Sequence, residues 1–534
     1  MMKKHLLFTS IVVVLTLQPL ISQNLDDDIK WILTGGQYVK WDDGSTTRIR
    51  TPRITLTNDG GFFYVETNEG KYINIQGVLD SKYSWNFYKE DENLKRQFSG
   101  SVSSGGIASD VKQTSDGGYI IVGYASNSLD DALWGIIGEA KGGKDFKIFK
   151  LDNFGKQQWR KSIGGSNDEI AYSVQQTLDG GYVVAGYSSS NDFDISGNHG
   201  NKDCLIIKLN KNGNTEWSKS IGGVNNDIAY CIQQTSDGGY IIVGKSDSND
   251  GFLVNNNGAN DLLIVKLDFL GNTQWVKSIG GSNEDIAYSV KQTKDNGYII
   301  AGQTNSVDFD IQGNHGGVDC FLVKLNENGN TEWNRCIGGT SEDVANSVQQ
   351  TIDGGYVVAG YSSSNDFDIS GNHGMKDFLY LKLDSNGNIR KQKCTGTNSD
   401  DMAYSVNQTV DGGVILAGDI SYNDNNPTFS YSMILKYNPS LSDDNFEYLN
   451  SNITIAPNPA SSHININFNN ITDLNGGELK IINSLGQQVA TTPITTSGKQ
   501  TIMQLATWGG AGLYFVQIIN PQGQIVDIKK IILQ

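Results

Sequence analysis

The sequence predicts an all-β fold, a seven-bladed β-propeller of four-stranded blades followed by a small Ig-like β-sandwich. Three observations predict it. A unit of about 58 residues repeats along the chain, each unit holds four short strand-like runs, and the N-terminal run resembles a strand that the last unit lacks. A fixed period in this range indicates an array of one supersecondary unit that cannot bury its apolar face alone.

Each unit carries a DGGY-type turn, and the last four steps between these turns are 58 residues each. The turns begin at Asp59, Asp116, Asp179, Asp237, Asp295, Asp353 and Asp411. In the unit from Ala171 to Ile228 the four runs are AYSVQQT, GYVVAGYS, DCLIIKLN and TEWSKSIG. Runs rich in Val, Ile, Tyr and Thr between Gly, Asn and Asp clusters predict short strands joined by turns, and none is spaced as a helix.

The ends of the repeat array favour a closed ring. The seventh unit stops after its third strand, YSMILKY, and lacks the tryptophan-bearing fourth. The segment IKWILTGG at 29–36 resembles that missing strand, so we expect it to complete the last blade, with Trp31 beside the strand around Leu435. Closure hides strand edges that an open sheet leaves unpaired. The alternative, an open β-solenoid, would not need this N-terminal strand.

Composition divides the chain into four segments. Residues 1–22 have a basic start and a short apolar core, which predicts a signal peptide. Residues 23–437 form the predicted propeller, 438–452 a polar linker and 453–534 a β-sandwich with alternating strands. No other run approaches the roughly 20 apolar residues of a spanning helix, so we expect no transmembrane segment in the mature chain.

The C-terminal segment carries three short motifs, PNPA at 457–460, NSLG at 483–486 and GLY at 512–514, before a closing Lys-Ile strand. With these it closely resembles the type A C-terminal sorting domain of the type IX secretion system of Bacteroidetes. The resemblance covers about 80 residues. It implies that the type IX machinery is a partner, and that the propeller is cargo, either secreted or held on the outer-membrane cell surface.

The net charge argues against one class of partner, and the positions of the cysteines argue against disulfide bonds. A formal charge of -17 argues against a nucleic-acid partner, because phosphates are bound by Lys and Arg. The five cysteines lie at strand positions on different blades, too far apart for disulfides, and we expect all to be buried. They are Cys204, Cys231, Cys320, Cys336 and Cys394.

A motif at the third hairpin, as in KLDNFGKQQW, resembles the tryptophan-docking motif of the pyrroloquinoline-quinone dehydrogenases. It covers about ten residues per blade. The quinone-binding residues of those enzymes are not recognisable, and no C-x-x-C-H haem motif occurs. We therefore interpret Trp159, Trp217, Trp275 and Trp333 as packing residues between blades, and expect no cofactor other than calcium.

The long loops between strands two and three contain the strongest local motif. Oxygen side chains at positions one, three and five, Gly at six and an acid at twelve are typical of a calcium loop. The predicted ligands are Asp192, Asp194, Ser196, Asp203, Asp308, Asp310, Gln312, Asp319, Asp366, Asp368, Ser370 and Asp377. The pattern departs from that loop in having Ser or Gln at five, Asp at twelve and no flanking helices. The alternative is that these side chains bind turn amides without metal.

Two further sets of polar residues recur on several blades. His199, His315 and His373 share one loop position, for which we expect a hydrogen bond within the loop. Sequence-adjacent acids such as Glu284 and Asp285 are compatible with the paired carboxylates of a glycosidase. A catalytic pair is a single asymmetric feature, however, so their repetition favours scaffold or multivalent binding and predicts no catalytic residue.

Alternating strand direction places the long acidic loops on one face, the long-loop rim, and the DGGY and NGN turns on the other. We expect binding on the rim. The leading hypothesis is a non-enzymatic secreted or surface module that binds glycan or protein there. The alternatives are a secreted polysaccharide hydrolase or lyase, with its site in blades one and two or over the central channel, and a purely structural surface component.

Overall fold

The structure is a computed structural model. It describes residues 29–34, 39–40, 46–73, 79–91, 95–126, 141–251, 253, 256–409, 412–422, 429–437, 453–456, 463–468, 476–483, 488–494, 500–504, 512–519, 521 and 525–533. The predicted signal peptide, the linker, the turn at Asp411 and the PNPA motif lie outside this range. The described residues contain strands, turns and no α-helix. They accordingly include no helix of the length and apolarity that crossing a membrane requires.

The repeat region is built from short strands. They are β1 (Ile29–Thr34), β2 (Val39–Lys40), β3 (Thr46–Leu56), β4 (Phe62–Ile73), β5 (Leu79–Glu90), β6 (Arg96–Ser103), β7 (Ala108–Gln113), β8 (Tyr119–Ser126), β9 (Lys144–Leu151), β10 (Gln157–Ile163), β11 (Glu169–Gln176), β12 (Tyr182–Ser188), β13 (Asp203–Leu209), β14 (Thr215–Ile221), β15 (Asp227–Gln234), β16 (Tyr240–Ser246), β17 (Asp261–Leu267), β18 (Thr273–Ile279), β19 (Asp285–Gln292), β20 (Tyr298–Thr304), β21 (Asp319–Leu325), β22 (Thr331–Ile337), β23 (Asp343–Gln350), β24 (Tyr356–Ser362), β25 (Asp377–Leu383), β26 (Ile389–Thr395), β27 (Asp401–Gln408), β28 (Val414–Tyr422) and β29 (Phe429–Tyr437).

These strands pair into successive antiparallel sheets. Sheet one is β2–β6, sheet two β7–β10, sheet three β11–β14, sheet four β15–β18, sheet five β19–β22 and sheet six β23–β26, and sheet seven has the order β1-β29-β28-β27. Strand β1 pairs antiparallel with β29, and Trp31 stands opposite Leu435. The predicted pairing of the N-terminal strand with the last repeat is confirmed.

The first strands of neighbouring sheets pack against one another in turn. Strand β3 contacts β7, the contacts continue through β11, β15, β19 and β23 to β27, and β27 contacts β3. Apolar clusters fill the space between sheets; Ile264 of sheet four, for example, shares one with Ile300 and Val323 of sheet five. The prediction of an all-β, propeller-like fold of repeated four-stranded sheets is confirmed.

The tryptophans connect adjacent sheets, as the sequence predicts. The ring of Trp275 in sheet four meets Tyr298 of sheet five edge-on, with 6.1 Å between ring centroids. An added Cβ on Gly329 in the next hairpin would lie 3.1 Å from the same indole. The glycine is therefore required both for its φ of +80° and for this close approach.

In the six DGGY-type turns whose aspartate the structure describes, a buried lysine ties the turn to its sheet. Lys266, only 3% exposed, places Nζ 2.8 Å from Asp237 Oδ2 and donates to the carbonyl oxygen of Leu267. Partial burial acts to raise the pKa of Asp237, but hydrogen bonds from Lys266 and Thr235 lower it overall. Equivalent pairs recur from Lys89 with Asp59 to Lys382 with Asp353.

The C-terminal segment forms two further sheets. Its strands are β30 (Ile453–Ala456), β31 (His463–Phe468), β32 (Glu478–Asn483), β33 (Gln488–Pro493), β34 (Gln500–Gln504), β35 (Gly512–Ile519) and β36 (Ile525–Leu533). One sheet has the order β30-β31-β34 and the other β33-β32-β35-β36. Buried residues such as Leu479, Ile481 and Val516 form its apolar interior.

Candidate functional site: the long-loop rim and the central cavity

The loops between strands two and three lie against the neighbouring connection between sheets. Asp192 Oδ1 accepts a hydrogen bond from the backbone N–H of Ser166 at 2.8 Å. Asp308 and Asp366 accept equivalent bonds from Ser282 at 2.8 Å and Thr340 at 2.9 Å. The first aspartate of each predicted calcium loop therefore caps a turn in the connection that precedes its own sheet.

The third-position aspartates lie at the same turns. The backbone N–H of Asp194 donates to Gly164 O at 3.3 Å, and Lys141 forms an ion pair with the Asp194 carboxylate at 2.6 Å. Asp310 and Asp368 hold equivalent backbone positions. At position five, Ser196 and Gln312 are exposed, as is Ser370, whose hydroxyl contacts Gln392 Oε1 at 3.1 Å.

Position twelve is fully buried in all three loops. Asp203 Oδ2 accepts hydrogen bonds from the backbone N–H and the Nδ1 of His199, at 3.0 and 2.7 Å. His315 with Asp319 and His373 with Asp377 repeat this arrangement. The expected hydrogen bond of each histidine within its loop is confirmed.

The structure does not gather these twelve residues into compact ligand sets. Within the described part of the chain, no three His, Cys, Asp or Glu side chains converge in a way that could hold a metal ion. The carboxylates at positions one and three face backbone amides, whereas the one at position twelve lies inside the sheet. The calcium assignment of these loops stays a prediction.

Position twelve instead takes part in a carboxylate pair that sequence reasoning missed. An aspartate at the start of strand three of one sheet lies beside the acid that begins strand one of the next, and both are fully buried. The five pairs are Asp145 with Glu169, Asp203 with Asp227, Asp261 with Asp285, Asp319 with Asp343, and Asp377 with Asp401. Oδ1 of the first residue in each pair has no hydrogen-bond partner.

A glycine in the connection makes room for each pair. A Cβ added to Gly280 would lie 2.5 Å from Asp261 Oδ1 and 2.8 Å from Asp285 Oδ2, so the two oxygens converge above this glycine. Burial raises the pKa of Asp261 to about 6, and the charge of Asp285 adds to the rise. Two buried carboxylates this close favour a shared proton or a bound cation.

The sequence-adjacent acids do not form a catalytic pair. Asp285 is buried in the carboxylate pair, whereas Glu284 is at the surface and forms an ion pair with Lys245 at 3.0 Å. Glu342 is likewise paired with Lys376 at 2.9 Å, beside the buried Asp343. Neighbouring residues in a strand point to opposite faces, which separates the two carboxylates.

Three phenylalanines project from the long-loop rim. Phe193, Phe309 and Phe367 are 70%, 65% and 68% exposed, and each follows the first aspartate of its loop. Their φ values of 52°, 53° and 51° lie in the left-handed region, which costs a bulky residue energy. These phenylalanines were not among the predicted site residues, although the sequence carries a signal for them, an apolar residue repeated in three copies of an otherwise polar loop.

A cavity of about 400 Å³ lies where the first strands meet. Its lining includes the rings of Tyr172, Tyr230 and Tyr288, whose successive centroids are 5.0 and 5.5 Å apart. Cys231 also lines it and is only half-buried, which differs from the expectation that all five cysteines are buried. All five thiols are free.

Residues 454–534 match the family described as Secretion system C-terminal sorting domain. This confirms the type IX sorting domain and with it export to the cell surface or beyond. No curated protein matches the chain.

Solved structures give weaker likenesses. The chain is similar to the Neurospora crassa Pan2 WD40 domain at 9% identity, covering 72% of this chain and 88% of that one, with a TM-score of 0.39. It is similar to the rhamnogalacturonan lyase YesW at 8% identity, covering 79% and 77%, with a TM-score of 0.34. A mutant of the Synechocystis apocarotenoid oxygenase has 11% identity, 76% and 92% coverage and a TM-score of 0.31. Likenesses at this level do not extend to function.

Proposed function

We propose that this chain is a non-enzymatic binding module, a seven-bladed propeller that engages glycan or protein outside the cell through its long-loop rim. A signal peptide at 1–22 would begin its export, and the type IX apparatus of a Bacteroidetes bacterium would complete it. Seven repeated units and the return of contacts from β27 to β3 support the ring. The sorting domain supports the location.

The observation that carries the binding proposal is the set of exposed phenylalanines. An exposed aromatic ring is costly in water, and a positive φ adds backbone strain at the same residue. A loop that needed only solubility would have a polar residue here, or Gly or Asn for the φ value. Repetition of Phe193, Phe309 and Phe367 at one position favours a repetitive ligand bound at several points, each contact adding to the avidity.

The short-turn face provides a matched control for this proposal. Phe154 and Phe269 are also exposed, at 76% and 63%, but lie in the turns between strands three and four. These turns emerge on the face opposite the rim. A variant with F154A and F269A therefore removes similar exposed aromatic area without touching the proposed surface.

The test compares three purified proteins on a glycan array and a panel of surface proteins. We expect the F193A, F309A, F367A variant to lose binding by about tenfold or more, and the F154A, F269A variant to bind like the parent. Equal losses in both variants, or none in either, would contradict the proposal. Product release from a polysaccharide panel would establish the hydrolase or lyase alternative. If the protein neither binds a ligand nor releases product, the remaining alternative is a purely structural surface component.

We also propose calcium as a clamp on the rim, through the twelve loop residues predicted from the sequence. What supports it is the unpartnered Oδ1 of Asp203, Asp319 and Asp377, an oxygen of the kind calcium prefers. Asp192 and Asp194 would have to exchange their present partners for the ion. A calcium titration followed by thermal unfolding tests this, because an ion bound only to the folded chain raises the melting temperature. An unchanged melting temperature would argue against calcium and leave the rim proposal standing.

A further inference from the structure

The side chains that line the central cavity include more basic than acidic groups, although the chain as a whole is acidic. The whole chain has a formal charge of -17. The cavity lining, by contrast, contains three basic side chains, Arg53, Lys112 and Lys291, and one carboxylate, Asp110. Lys112 Nζ lies 2.7 Å from Asp110 Oδ1, so these two neutralise each other. Asp110 Oδ2 accepts the backbone N–H of Val174. Arg53 and Lys291 therefore have no carboxylate in ion-pair contact among the residues that line the cavity.

These charged residues break the pattern of the repeat. At the position of Lys291, sheet two has Lys112, which is paired with Asp110, whereas sheets three, four and six have Gln175, Gln233 and Gln349. Each of these glutamines accepts, through Oε1, a backbone N–H from the next sheet at 2.6 to 2.8 Å. Lys291 cannot accept that bond. Its side-chain ammonium makes no hydrogen bond or ion pair with any residue that the structure describes, and burial lowers the pKa of Lys291. The lysine therefore gives up an inter-sheet contact and places a cationic group in the cavity without a partner.

Arg53 shows the same departure in sheet one. In sheets three, five and six the equivalent position holds Ser173, Ser289 and Ser347, and each serine hydroxyl accepts a backbone N–H from the adjacent sheet that follows it. Arg53 Nε donates to Ser109 O at 2.6 Å, and its guanidinium lies 5.2 Å from the centroid of the Tyr404 ring. One terminal nitrogen, NH1, is buried without an acceptor. A buried guanidinium nitrogen without a partner is costly.

The two groups belong to sheets on opposite sides of the cavity. Sheets one and five are separated by sheets six and seven on one side and by two, three and four on the other. An anion between them would accept hydrogen bonds from both and offset the cost of burying each charge. The volume of about 400 Å³ lies in the range of small-ligand sites.

We propose that the central cavity binds the anionic group of a small polar ligand, a carboxylate, sulfate or phosphate, between Arg53 and Lys291. The aromatic rings of Tyr172, Tyr230 and Tyr288 line the same cavity and offer flat surfaces on which a sugar can stack. This favours an acidic sugar as the carrier of the anion. The site is separate from the long-loop rim, and the inference does not depend on the rim being a binding surface.

The repeat itself supplies the test variants. Lys291→Gln and Arg53→Ser introduce the residues that other sheets carry at these positions, so the fold should tolerate them. Tyr288→Asn likewise introduces the residue found at Asn346. Lys211→Gln, on an exposed turn, is the control for the loss of one positive charge.

Isothermal titration calorimetry with glucuronate, sulfate, phosphate and neutral glucose measures binding to the full chain. We expect one anion site per molecule, weakened about tenfold or more by K291Q and by R53S and unchanged by K211Q. Binding of glucuronate that Y288N weakens identifies an acidic sugar, whereas inorganic anions binding equally well with and without Y288N identify a free oxyanion; both support the site. No binding of any anion, equal binding of glucose, or unchanged affinity in folded K291Q and R53S would overturn it. The rim variant should bind these anions normally, which separates this result from that of the rim proposal.

Discussion

The buried carboxylate pairs make the stability of this protein depend on pH in an unusual direction. Burial raises the pKa of Asp261 from 3.8 to about 6, and it likewise raises the pKa of Asp227 to about 6 and of Asp401 to about 7. The folded state therefore holds these protons more tightly than the unfolded chain does. The resulting stabilisation is fully present below about pH 4 and is lost as the pH rises through about 6 to 7.

A single substitution isolates one pair. In Asp261→Asn, the amide oxygen can keep the hydrogen bonds that Asp261 Oδ2 accepts from the Asn257 N–H and the Ser278 hydroxyl, at 3.0 and 3.1 Å. The amide nitrogen then takes the place of the unpartnered Oδ1 and donates toward Asp285. Asparagine at this position reproduces the protonated acid at every pH.

The expected size follows from the pKa. A rise from 3.8 to about 6 corresponds to about 3 kcal/mol of unfolding free energy, at ~1.36 kcal/mol per pKa unit. D261N should therefore unfold at higher urea than the parent at about pH 8 and nearly like it at about pH 4, with a gain in melting temperature of a few degrees at the higher pH.

Urea unfolding followed by tryptophan fluorescence, at several pH values in the presence of a chelator, measures this directly. Ser278→Ala is a suitable control, because it removes one hydrogen bond to Asp261 without removing the paired charge. A parent protein whose stability rises steadily from about pH 5 to 8, or a D261N variant less stable than the parent at about pH 8, would refute the shared-proton reasoning.

Three further outcomes are expected. Gly280→Ala should destabilise the fold by roughly 2 kcal/mol or more, since its Cβ would meet both carboxylates of a pair, while Gly180→Ala, in open space but at φ +81°, should cost about 1 kcal/mol; unfolding titrations compare the two. Asp237→Asn should cost about 1–2 kcal/mol in the same assay, because it leaves the buried Lys266 ammonium with a weaker partner. Deleting residues 454–534 should retain the chain inside the producing cell without changing the melting temperature of the repeat region, which cell fractionation and calorimetry check.

The repeat architecture could be predicted from the sequence because its signals are local. Strand runs, Gly-containing turns and the tryptophan position can each be recognised from a few consecutive residues. Their recurrence at a fixed spacing predicts a propeller-like array. The missing strand of the last repeat and its copy near Trp31 were visible in the same way, and β1 does pair with β29. The sorting domain was recognisable because its motifs are short and contiguous.

The site was predicted only in part, because its contacts join residues from different repeats. Asp203 has the spacing of a calcium-loop ligand, but its side chain turns into the protein toward Asp227, which begins the next sheet. Lys291 and Arg53 are far apart in the chain and differ from the repeat at different positions. Only the ring places them around one cavity.

The sequence by itself determined that the chain is built from one repeated four-stranded unit, that its N-terminal strand belongs with the last repeat, and that its C-terminal segment is a sorting domain. The tertiary structure alone decided where charge is buried. A periodic pattern specifies which residues face a neighbouring sheet, but the energy of a carboxylate or an ammonium depends on every group around it. Those groups come from two or more sheets and meet only when the chain has folded.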